Sequence, residues 1–221
     1  MKNHTETEEN YLKAIFRFSK EGESVSTNTV ANFLGTSPAS VTDMFIKLGE
    51  KDLVEYTPYR GVRLKEEGQK VALRIVRKHR LWEVFLVQKL SFSWDNIHEV
   101  AEQLEHIDSP ELIQRLDEFL NYPKFDPHGD PIPSESGEIE MRATQLLKEV
   151  PVGAKAEIAT VLLSSTDFLQ YLDRVGLTIG QEVRVEEQIS FDDSMLLFIN
   201  GSKVIVSGTV AKNLRVVVLD T

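Results

Sequence analysis

The chain of 221 residues contains no cysteine. This absence excludes disulfide bonds, thiolate nucleophiles and zinc sites built from cysteine. Long apolar runs are also missing, so the sequence predicts no membrane-spanning helix, and the N-terminal residues lack the apolar core of a signal peptide. With 41% hydrophobic residues the chain can still bury cores. We expect a cytoplasmic protein of one large or two to three small domains that does not bind membranes.

Basic residues are in the minority, and the formal net charge is −10. Such an acidic balance is unfavourable for a nucleic-acid-binding protein. The charge is spread unevenly, however: residues 1–72 hold 10 Lys and Arg against 11 Asp and Glu, whereas residues 73–221 carry the remaining −9. Two interpretations stay open, because the acidic part could keep the protein off DNA until cations compensate for it, or could serve solubility alone.

Histidine is scarce as well, yet three of the five histidines lie within fewer than thirty residues in the middle of the chain. Glutamates accompany them at separations of three and four, which place side chains on one face of an α-helix. Imidazole and carboxylate donors without thiolate suit Mn²⁺, Fe²⁺, Co²⁺ or Zn²⁺. The pattern predicts a metal site on two helices, built from His79, Glu83, His98, Glu102, Glu105 and His106.

The first third of the chain has the element order of a winged helix-turn-helix. A helix is predicted over residues 7–20 behind a threonine cap, and Ser26 and Gly35 bound a second helix. A third begins with Ser37 as N-cap and Pro38 in its first turn. A strand, a Pro-Tyr-Arg-Gly turn and a second strand follow as the wing. In such domains the third helix presents its first residues to the major groove, while other parts hold phosphates.

The candidate DNA contacts are therefore side chains at the start and outer face of the third helix and on the wing. The basic ones are expected to bind phosphates, and the small polar ones to influence which sequence is preferred. The predicted DNA-binding residues are Ser37, Pro38, Ala39, Ser40, Thr42, Lys47, Arg60 and Arg63. A three-helix domain with a hairpin and no DNA partner remains the alternative.

The rest of the chain changes period twice. Apolar positions predict a long amphipathic helix over 68–90 and two more over 94–107 and 109–121. Their apolar surface exceeds what one covering helix would hide, which predicts a helical dimer interface. Residues 122–138, with four prolines and two glycines, follow as a loop or linker. From about residue 151, one helix and several short β-branched strands predict a small β-barrel-like domain.

Six segments spread over the chain carry a family resemblance: ENYLKAI, SPASVTDMFIKL, YRGVRL, RKHRLWEVFL, EQLEH and DPHGDPIP. Together they closely resemble the diphtheria-toxin-repressor family of metal-dependent transcriptional regulators, over nearly the whole chain. The resemblance implies a mainly α fold with a β C-terminal domain. It implies a winged helix-turn-helix DNA-binding domain over 1–72, a helical dimerisation and metal-binding domain with a proline-rich linker over 73–145, and an SH3-like, FeoA-like β-barrel over 146–221.

The resemblance also implies two metal positions in each subunit. Residues matching the primary position are Asn10, Glu102, Glu105 and His106. Those matching the ancillary position are His79, Glu83 and His98. Some manganese-responsive members add ligands from a Pro-His-Gly loop and from the SH3-like domain, and these match Asp126, His128 and Asp167.

Three positions depart from patterns within that family. Asn10 stands where relatives carry Asp or Met, so it offers a weaker, neutral ligand or only its backbone carbonyl. Glu102 stands where iron-type members carry Cys, and a carboxylate oxygen there favours Mn²⁺. Lys13 replaces a carboxylate of short manganese-type members, which argues against their two-manganese cluster in this chain.

The resemblance implies a homodimeric repressor that is activated by Mn²⁺, binds double-stranded operator DNA and controls metal-uptake genes without catalysis. Metal would favour the DNA-competent state by tying the first helix to the dimerisation helices, and half-sites about one helical turn apart, or a multiple, would be bound. An iron-responsive repressor is the alternative within the family. A metallohydrolase would use the cluster to activate water, but no His-Glu-x-x-His motif occurs. A regulator with an organic ligand in the dimer core would not need its histidines.

Overall fold

The computed structural model describes residues 4–20 and 23–219. Residues 1–3, 21, 22, 220 and 221 lie outside this description, and they include the ends of the first and third predicted domains. The described residues form eight α-helices and eight β-strands, and the chain divides into two compact units. The first unit comprises Met1–His79, Gln103–Ser109 and Pro133–Glu138, and the second comprises Arg80–Glu102, Pro110–Ile132 and Ile139–Thr221.

The first unit contains a winged helix-turn-helix, as predicted. Its elements are α1 (Glu6–Phe18), α2 (Thr27–Leu34), α3 (Pro38–Glu50), the antiparallel hairpin β1 (Val54–Thr57) and β2 (Gly61–Leu64), and the start of the long helix α4 (Glu66–Leu90). One apolar core holds these elements together, and its fully buried side chains include Leu12, Ile15, Phe45, Leu48 and Val62. Burial of such side chains is the main favourable contribution to folding of the unit.

Local sequence signals explain where the three short helices begin and end. Ser26 and Ser37 cap α2 and α3 as predicted, and Gly35 ends α2 in the left-handed conformation. The first helix begins earlier than predicted, because its cap is Thr5, two residues before the threonine that opens the predicted segment. Thr5 Oγ1 accepts a hydrogen bond from the Glu8 N–H, and the Glu8 carboxylate accepts one from the Thr5 N–H, which makes a capping box.

A buried carboxylate joins α1 to α3 within this unit. The Glu8 side chain is fully buried, and Lys51 Nζ lies 2.8 Å from each of its two oxygens. Lys47 Nζ lies 2.9 Å from Glu8 Oε1. Burial alone would raise the pKa of Glu8, but the hydrogen bonds from Lys51, Lys47 and the Thr5 N–H lower it to about 2.

The lowered pKa of Glu8 predicts a contribution to stability that depends on pH. This contribution is complete above the ordinary pKa of 4.5 and is lost as pH falls towards the folded-state value of about 2. We expect Glu8→Gln to lower the free energy of unfolding by about 2 kcal/mol at pH 7. This is less than the pKa shift alone would give, because both lysines reach solvent, which screens their ion pairs with Glu8. In urea unfolding, the difference between wild type and variant should shrink between pH 5 and pH 3. A difference that stays constant over that range would contradict this account.

The second unit contains the rest of α4, most of α5 (His98–Leu104) and α6 (Pro110–Phe119), followed by a β-rich domain. The elements of that domain are β3 (Gln145–Leu146), a short 3₁₀ turn, β4 (Lys155–Val161), α7 (Thr166–Val175), β5 (Glu182–Ile189), β6 (Ser194–Ile199), β7 (Ser202–Val206), α8 (Gly208–Lys212) and β8 (Leu214–Leu219). Neighbouring strands pair antiparallel in the order β3-β8-β4-β5-β6-β7. Its buried core includes Leu147, Ile158, Leu172, Val185 and Leu197.

Several elements of this unit differ from the sequence prediction, which included neither the strands β3 and β4 nor the short helix α8. Helix α5 begins at His98 instead of residue 94, because Trp94 and Asp95 are held by α7: Trp94 Nε1 donates to Asp173 Oδ2 at 3.0 Å, and Gln170 Nε2 donates to Asp95 Oδ2 at 2.8 Å. Strand β4 was not predicted, since its alanines have low β-propensity. Among the described residues, none of the helices has the length and apolar character needed to cross a membrane.

Candidate metal centre

Three buried ligand side chains converge in the second unit: Glu83 on α4, and Asp126 and His128 on the proline-rich loop. One ligand atom from each lies within 4.8 Å of the others. His128 Nδ1 is 3.8 Å from Glu83 Oε2. We call this group the Glu83 cluster. It unites residues that the sequence analysis had assigned to two different sets.

The loop that carries Asp126 and His128 is held by its own backbone and by β4. Asp126 Oδ1 accepts hydrogen bonds from the N–H groups of His128 at 2.8 Å and Asp130 at 3.0 Å. The Val161 N–H donates to the His128 carbonyl at 3.0 Å. Gly129 packs so closely on β4 that a Cβ there would lie 1.9 Å from the Ala159 carbonyl oxygen, so only glycine fits.

The imidazole of His128 has a fixed orientation. Its Nε2 lies 2.9 Å from the Trp94 carbonyl oxygen, which can only accept, so Nε2 carries the donated proton. The indole of Trp94 stacks on the same ring, with centroids 5.8 Å apart. Nδ1 therefore faces Glu83, the arrangement in which a histidine ligand is oriented by a hydrogen bond from its other nitrogen.

The electrostatics of the Glu83 cluster favour a bound cation. Burial and the nearby Glu83 carboxylate raise the pKa of Asp126, although Arg80 Nε, 3.5 Å from Asp126 Oδ2, opposes this. Burial alone would lower the pKa of His128, but the Glu83 carboxylate raises it. Two buried carboxylates thus share one small volume with one imidazole. Such an oxygen and nitrogen donor set fits a divalent first-row metal ion.

His98 and Glu102 lie on the solvent side of Glu83. His98 Nδ1 is 3.4 Å from Glu83 Oε1, and His98 Nε2 is 3.4 Å from Glu102 Oε1. Hydrogen bonds to Glu102 and Glu83 raise the pKa of His98 to about 9. The structure thus brings two members of the predicted ancillary set, Glu83 and His98, together within this unit. Glu102, predicted as a primary ligand, contacts His98 and is about half exposed.

A second group of ligand side chains, the Glu105 cluster, lies in the first unit and consists of Lys13, His79 and Glu105. Glu105 is fully buried, and its Oε2 lies 2.5 Å from His79 Nδ1 and 2.7 Å from Lys13 Nζ. Lys13 Nζ is also 3.3 Å from His79 Nδ1. Burial alone would raise the pKa of Glu105, but His79 and Lys13 lower it, so Glu105 is ionised. The ammonium group of Lys13 therefore contacts both candidate ligands, Glu105 and His79.

His106 borders the Glu105 cluster. Its Nε2 lies 3.9 Å from Glu105 Oε1, and its Nδ1 lies 2.7 Å from Glu9 Oε2. The sequence analysis missed Glu9, because a carboxylate in the first turn of a helix is ordinarily explained by the helix dipole. Its neighbour Asn10, the predicted ligand, is exposed on α1.

The remaining predicted ligand, Asp167, is exposed in the first turn of α7. The two ligand sets predicted from the resemblance each combine residues from both units. The primary and ancillary ligand sets therefore stay predictions, and so does Asp167. The Glu83 cluster and the Glu105 cluster are the groups of candidate ligands that the structure places together within one unit.

The predicted base-reading residues lie at the start of α3, where Ser37, Pro38, Ala39 and Ser40 are exposed. The Ser40 N–H donates to Ser37 Oγ at 3.1 Å, and the two hydroxyl oxygens are 2.9 Å apart. Thr42 Oγ1 donates to the Pro38 carbonyl at 3.0 Å. The hydroxyl groups of Ser37 and Thr42 thus already form hydrogen bonds with the backbone at the start of α3.

The predicted phosphate contacts differ in how they are held. Lys47 is half exposed and is ion-paired with Glu8. Arg63 Nε donates to Ser24 Oγ at 2.9 Å, and Arg60 is exposed in the turn between β1 and β2. Tyr59, which the sequence analysis did not single out, is fully exposed in the same turn with a φ of +65°, a strained conformation for an aromatic residue.

Comparison with known proteins accounts for nearly the whole chain. Residues 3–62 match the family described as "Iron dependent repressor, N-terminal DNA binding domain", residues 65–134 match its "metal binding and dimerisation domain", and residues 145–218 match the "FeoA domain".

Among curated relatives, the iron-dependent repressor IdeR of Mycobacterium leprae is 31% identical over 198 residues, which cover 84% of this chain and 86% of the relative. The diphtheria toxin repressor of Corynebacterium glutamicum is 29% identical, with 98% of both chains covered.

Solved structures agree with these sequence relatives. The "Manganese-dependent transcriptional repressor complex with manganese" is 32% identical, has a TM-score of 0.84, and covers 96% of this chain and all of its own. These matches confirm the predicted fold class, and they exclude the metallohydrolase alternative because the family consists of DNA-binding regulators, not enzymes. The chain belongs to the diphtheria-toxin-repressor family and is a metal-dependent transcriptional repressor.

Proposed function

We propose that this repressor responds to Mn²⁺, binds operator DNA as a homodimer in the cytoplasm, and controls metal-uptake genes. The observation that carries the manganese assignment is the Glu83 cluster, in which buried carboxylate and imidazole donors converge. The chain contains no cysteine, so every available donor is oxygen or nitrogen, except for four methionine sulfurs. Carboxylate-rich donor sets suit Mn²⁺ better than softer ions.

Glu83, Asp126 and His128 would hold one ion, with His98 next to Glu83. Bound Mn²⁺ would supply positive charge that neutralises the crowded carboxylates. Arg80 orients Asp126, and the Trp94 carbonyl orients His128 for this role. Glu105 and His106 would be ligands of a second ion near α1, and Lys13 would have to share Glu105 with it.

Metal binding would change DNA affinity by shifting the population towards the state in which α3 fits the major groove. The chain's own residues provide the connection, since α1 carries Lys13 and Glu9 towards the ligands and packs in the same core as α3. The expected increase in DNA affinity is on the order of 5- to 150-fold.

An iron-responsive repressor is the second candidate. The name of the Mycobacterium leprae relative, an iron-dependent repressor, and the description of the matching family favour it, and Fe²⁺ accepts the same carboxylate and imidazole donors.

The proposal is tested by selecting duplexes from a random-sequence library with chelator-treated protein plus Mn²⁺. Affinity for the selected duplex is then measured with Mn²⁺, Fe²⁺ or Zn²⁺ at buffered free concentrations and with chelator alone. We expect Mn²⁺ to raise the affinity for the duplex and chelator to return it to the lower metal-free value. Activation by Fe²⁺ alone would favour the second candidate, and equal binding with chelator would refute metal regulation.

Lys47 and the wing arginines are expected to bind phosphates. Arg60→Ala should weaken binding to all duplexes uniformly and reduce the slope of log affinity against log salt by about 1, because one phosphate contact is lost. Arg63→Ala should do the same. Salt titrations of both variants, with the exposed Arg115→Ala on α6 as control, measure this. An unchanged salt slope would remove the wing from the DNA-binding surface.

A further inference from the structure

Two neighbouring residues in the first turn of α1 contact two different functional parts of the first unit. Glu8 contacts the recognition helix α3 through Lys47 and Lys51. Glu9 lies 2.7 Å from His106, the candidate ligand beside the Glu105 cluster. Because both residues belong to one helical turn, a movement of that turn changes both sets of contacts together.

The contact with α3, which we call the Glu8 clamp (Glu8, Lys47 and Lys51), is a rigid attachment. Lys47 lies in the last turn of α3 and Lys51 is the C-cap residue that follows it, so one carboxylate holds the C-terminal end of this helix. The Glu8 side chain is fully buried, while those of Lys47 and Lys51 are 50% and 35% exposed. A buried carboxylate is strongly destabilised when its cationic partners are removed. The start of α1 and the end of α3 therefore move together.

The clamp also occupies Lys47. This lysine is a candidate phosphate contact, and the buried carboxylate 2.9 Å away neutralises part of its charge. Glu8 consequently weakens the attraction between Lys47 and DNA phosphates when no metal is bound.

We propose that Glu8 is the positioning residue through which metal binding at His106 and Glu105 alters the DNA affinity of α3. The inference rests on the proposed function, and it names the residue that would transmit the effect of metal binding to α3. Loss of the carboxylate should leave metal binding in place, separate it from DNA binding, and release Lys47 for metal-independent contacts with phosphates. Coupling of this kind is reciprocal, so it is measurable from either ligand.

The test uses the full-length Glu8→Gln variant and the duplex selected with wild-type protein. Mn²⁺ affinity is measured by calorimetry with and without the duplex, and duplex affinity with Mn²⁺ and with chelator. We expect Mn²⁺ affinity of the DNA-free variant to stay within about twofold of wild type, while the ratio of duplex affinities falls towards 1. The metal-free salt slope should steepen by about 1, because Lys47 gains a phosphate.

Glu66→Gln is the matched control, since Glu66 forms an exposed ion pair with Lys70 in the same unit, at 2.7 Å; its affinity ratio should equal that of wild type. Lys51→Met provides a second variant if Glu8→Gln does not fold, and it should lower the ratio without steepening the salt slope. A wild-type ratio in the folded variants would overturn the inference alone. A loss of Mn²⁺ affinity in DNA-free Glu8→Gln would also overturn it, because Glu8 would then act on the metal site. Absence of coupling in wild-type protein would refute the proposed function itself.

Discussion

The Glu83→Gln variant is expected to lose at least about 100-fold in affinity for Mn²⁺ at the Glu83 cluster. Glu83 lies 3.4 Å from His98 and 3.8 Å from His128, and it belongs to the cluster with Asp126, so one change removes the charge shared by all three contacts. Glutamine keeps the size of the side chain. It also relieves the repulsion that raises the pKa of Asp126, so the metal-free protein should remain folded.

Thermal unfolding with and without Mn²⁺ measures this effect. A ligand at 100 times its dissociation constant stabilises the folded state by about 2.7 kcal/mol, so the wild-type melting temperature should rise clearly with Mn²⁺. Glu83→Gln should show a smaller rise than wild type, because only the second ion, at Glu105 and His106, would still bind. Glu111→Gln, which removes an exposed carboxylate paired with Arg115 on α6, should behave as wild type. A wild-type response in Glu83→Gln would exclude Glu83 from the ligands.

The second large effect is expected for His106→Ala, which should abolish metal-activated DNA binding while the protein remains folded. His106 is nearly buried between Glu9 and Glu105, so its removal takes away a candidate ligand and leaves the Glu9 carboxylate without its imidazole partner. Affinity for the selected duplex should become nearly the same with Mn²⁺ and with chelator, in place of a ratio on the order of 5 to 150.

Glu102→Ala is the informative comparison, because the resemblance predicts Glu102 and His106 as ligands of the same ion. The two side chains differ in environment, since Glu102 is about half exposed and contacts His98. Loss of activation in both variants would support a shared ligand set. Activation retained in Glu102→Ala alone would remove Glu102 from that set, and activation retained in His106→Ala would refute its role as a ligand.

The helix starts that depend on a serine cap were predicted well from the sequence. The caps Ser26 and Ser37 act on N–H groups within three residues, so their effect can be read from neighbouring positions. The start of α5 was wrong because Trp94 and Asp95 bind residues of α7 more than seventy positions away. Strand β4 was missed because its stability comes from pairing on both sides, with β5 and β8, more than from the propensity of its own residues.

In the candidate site, too, local spacing was informative and contacts between distant positions were not predictable from the sequence. Helical spacing singled out Glu83 and Glu105 as candidate ligands, and the structure places both carboxylates in the interior. It could not identify Lys13 as the partner of Glu105 or Glu9 as the partner of His106, because these pairs lie 92 and 97 positions apart in the sequence. Only the tertiary structure reveals these pairings.

The close approach of Gly129 to the Ala159 carbonyl means that the loop of the Glu83 cluster depends on the C-terminal domain. The loop bearing Asp126 and His128 rests on the backbone of β4, with the Val161 N–H and the Thr160 hydroxyl as its hydrogen-bond donors. The FeoA domain is thus part of the scaffold of the Glu83 cluster, and a chain shortened before residue 145 would lose that support. Exchange of this domain between relatives would have to preserve both the glycine and the strand beneath it. A substitution at Gly129 would therefore disturb the candidate metal ligands and the packing of the C-terminal domain at the same time.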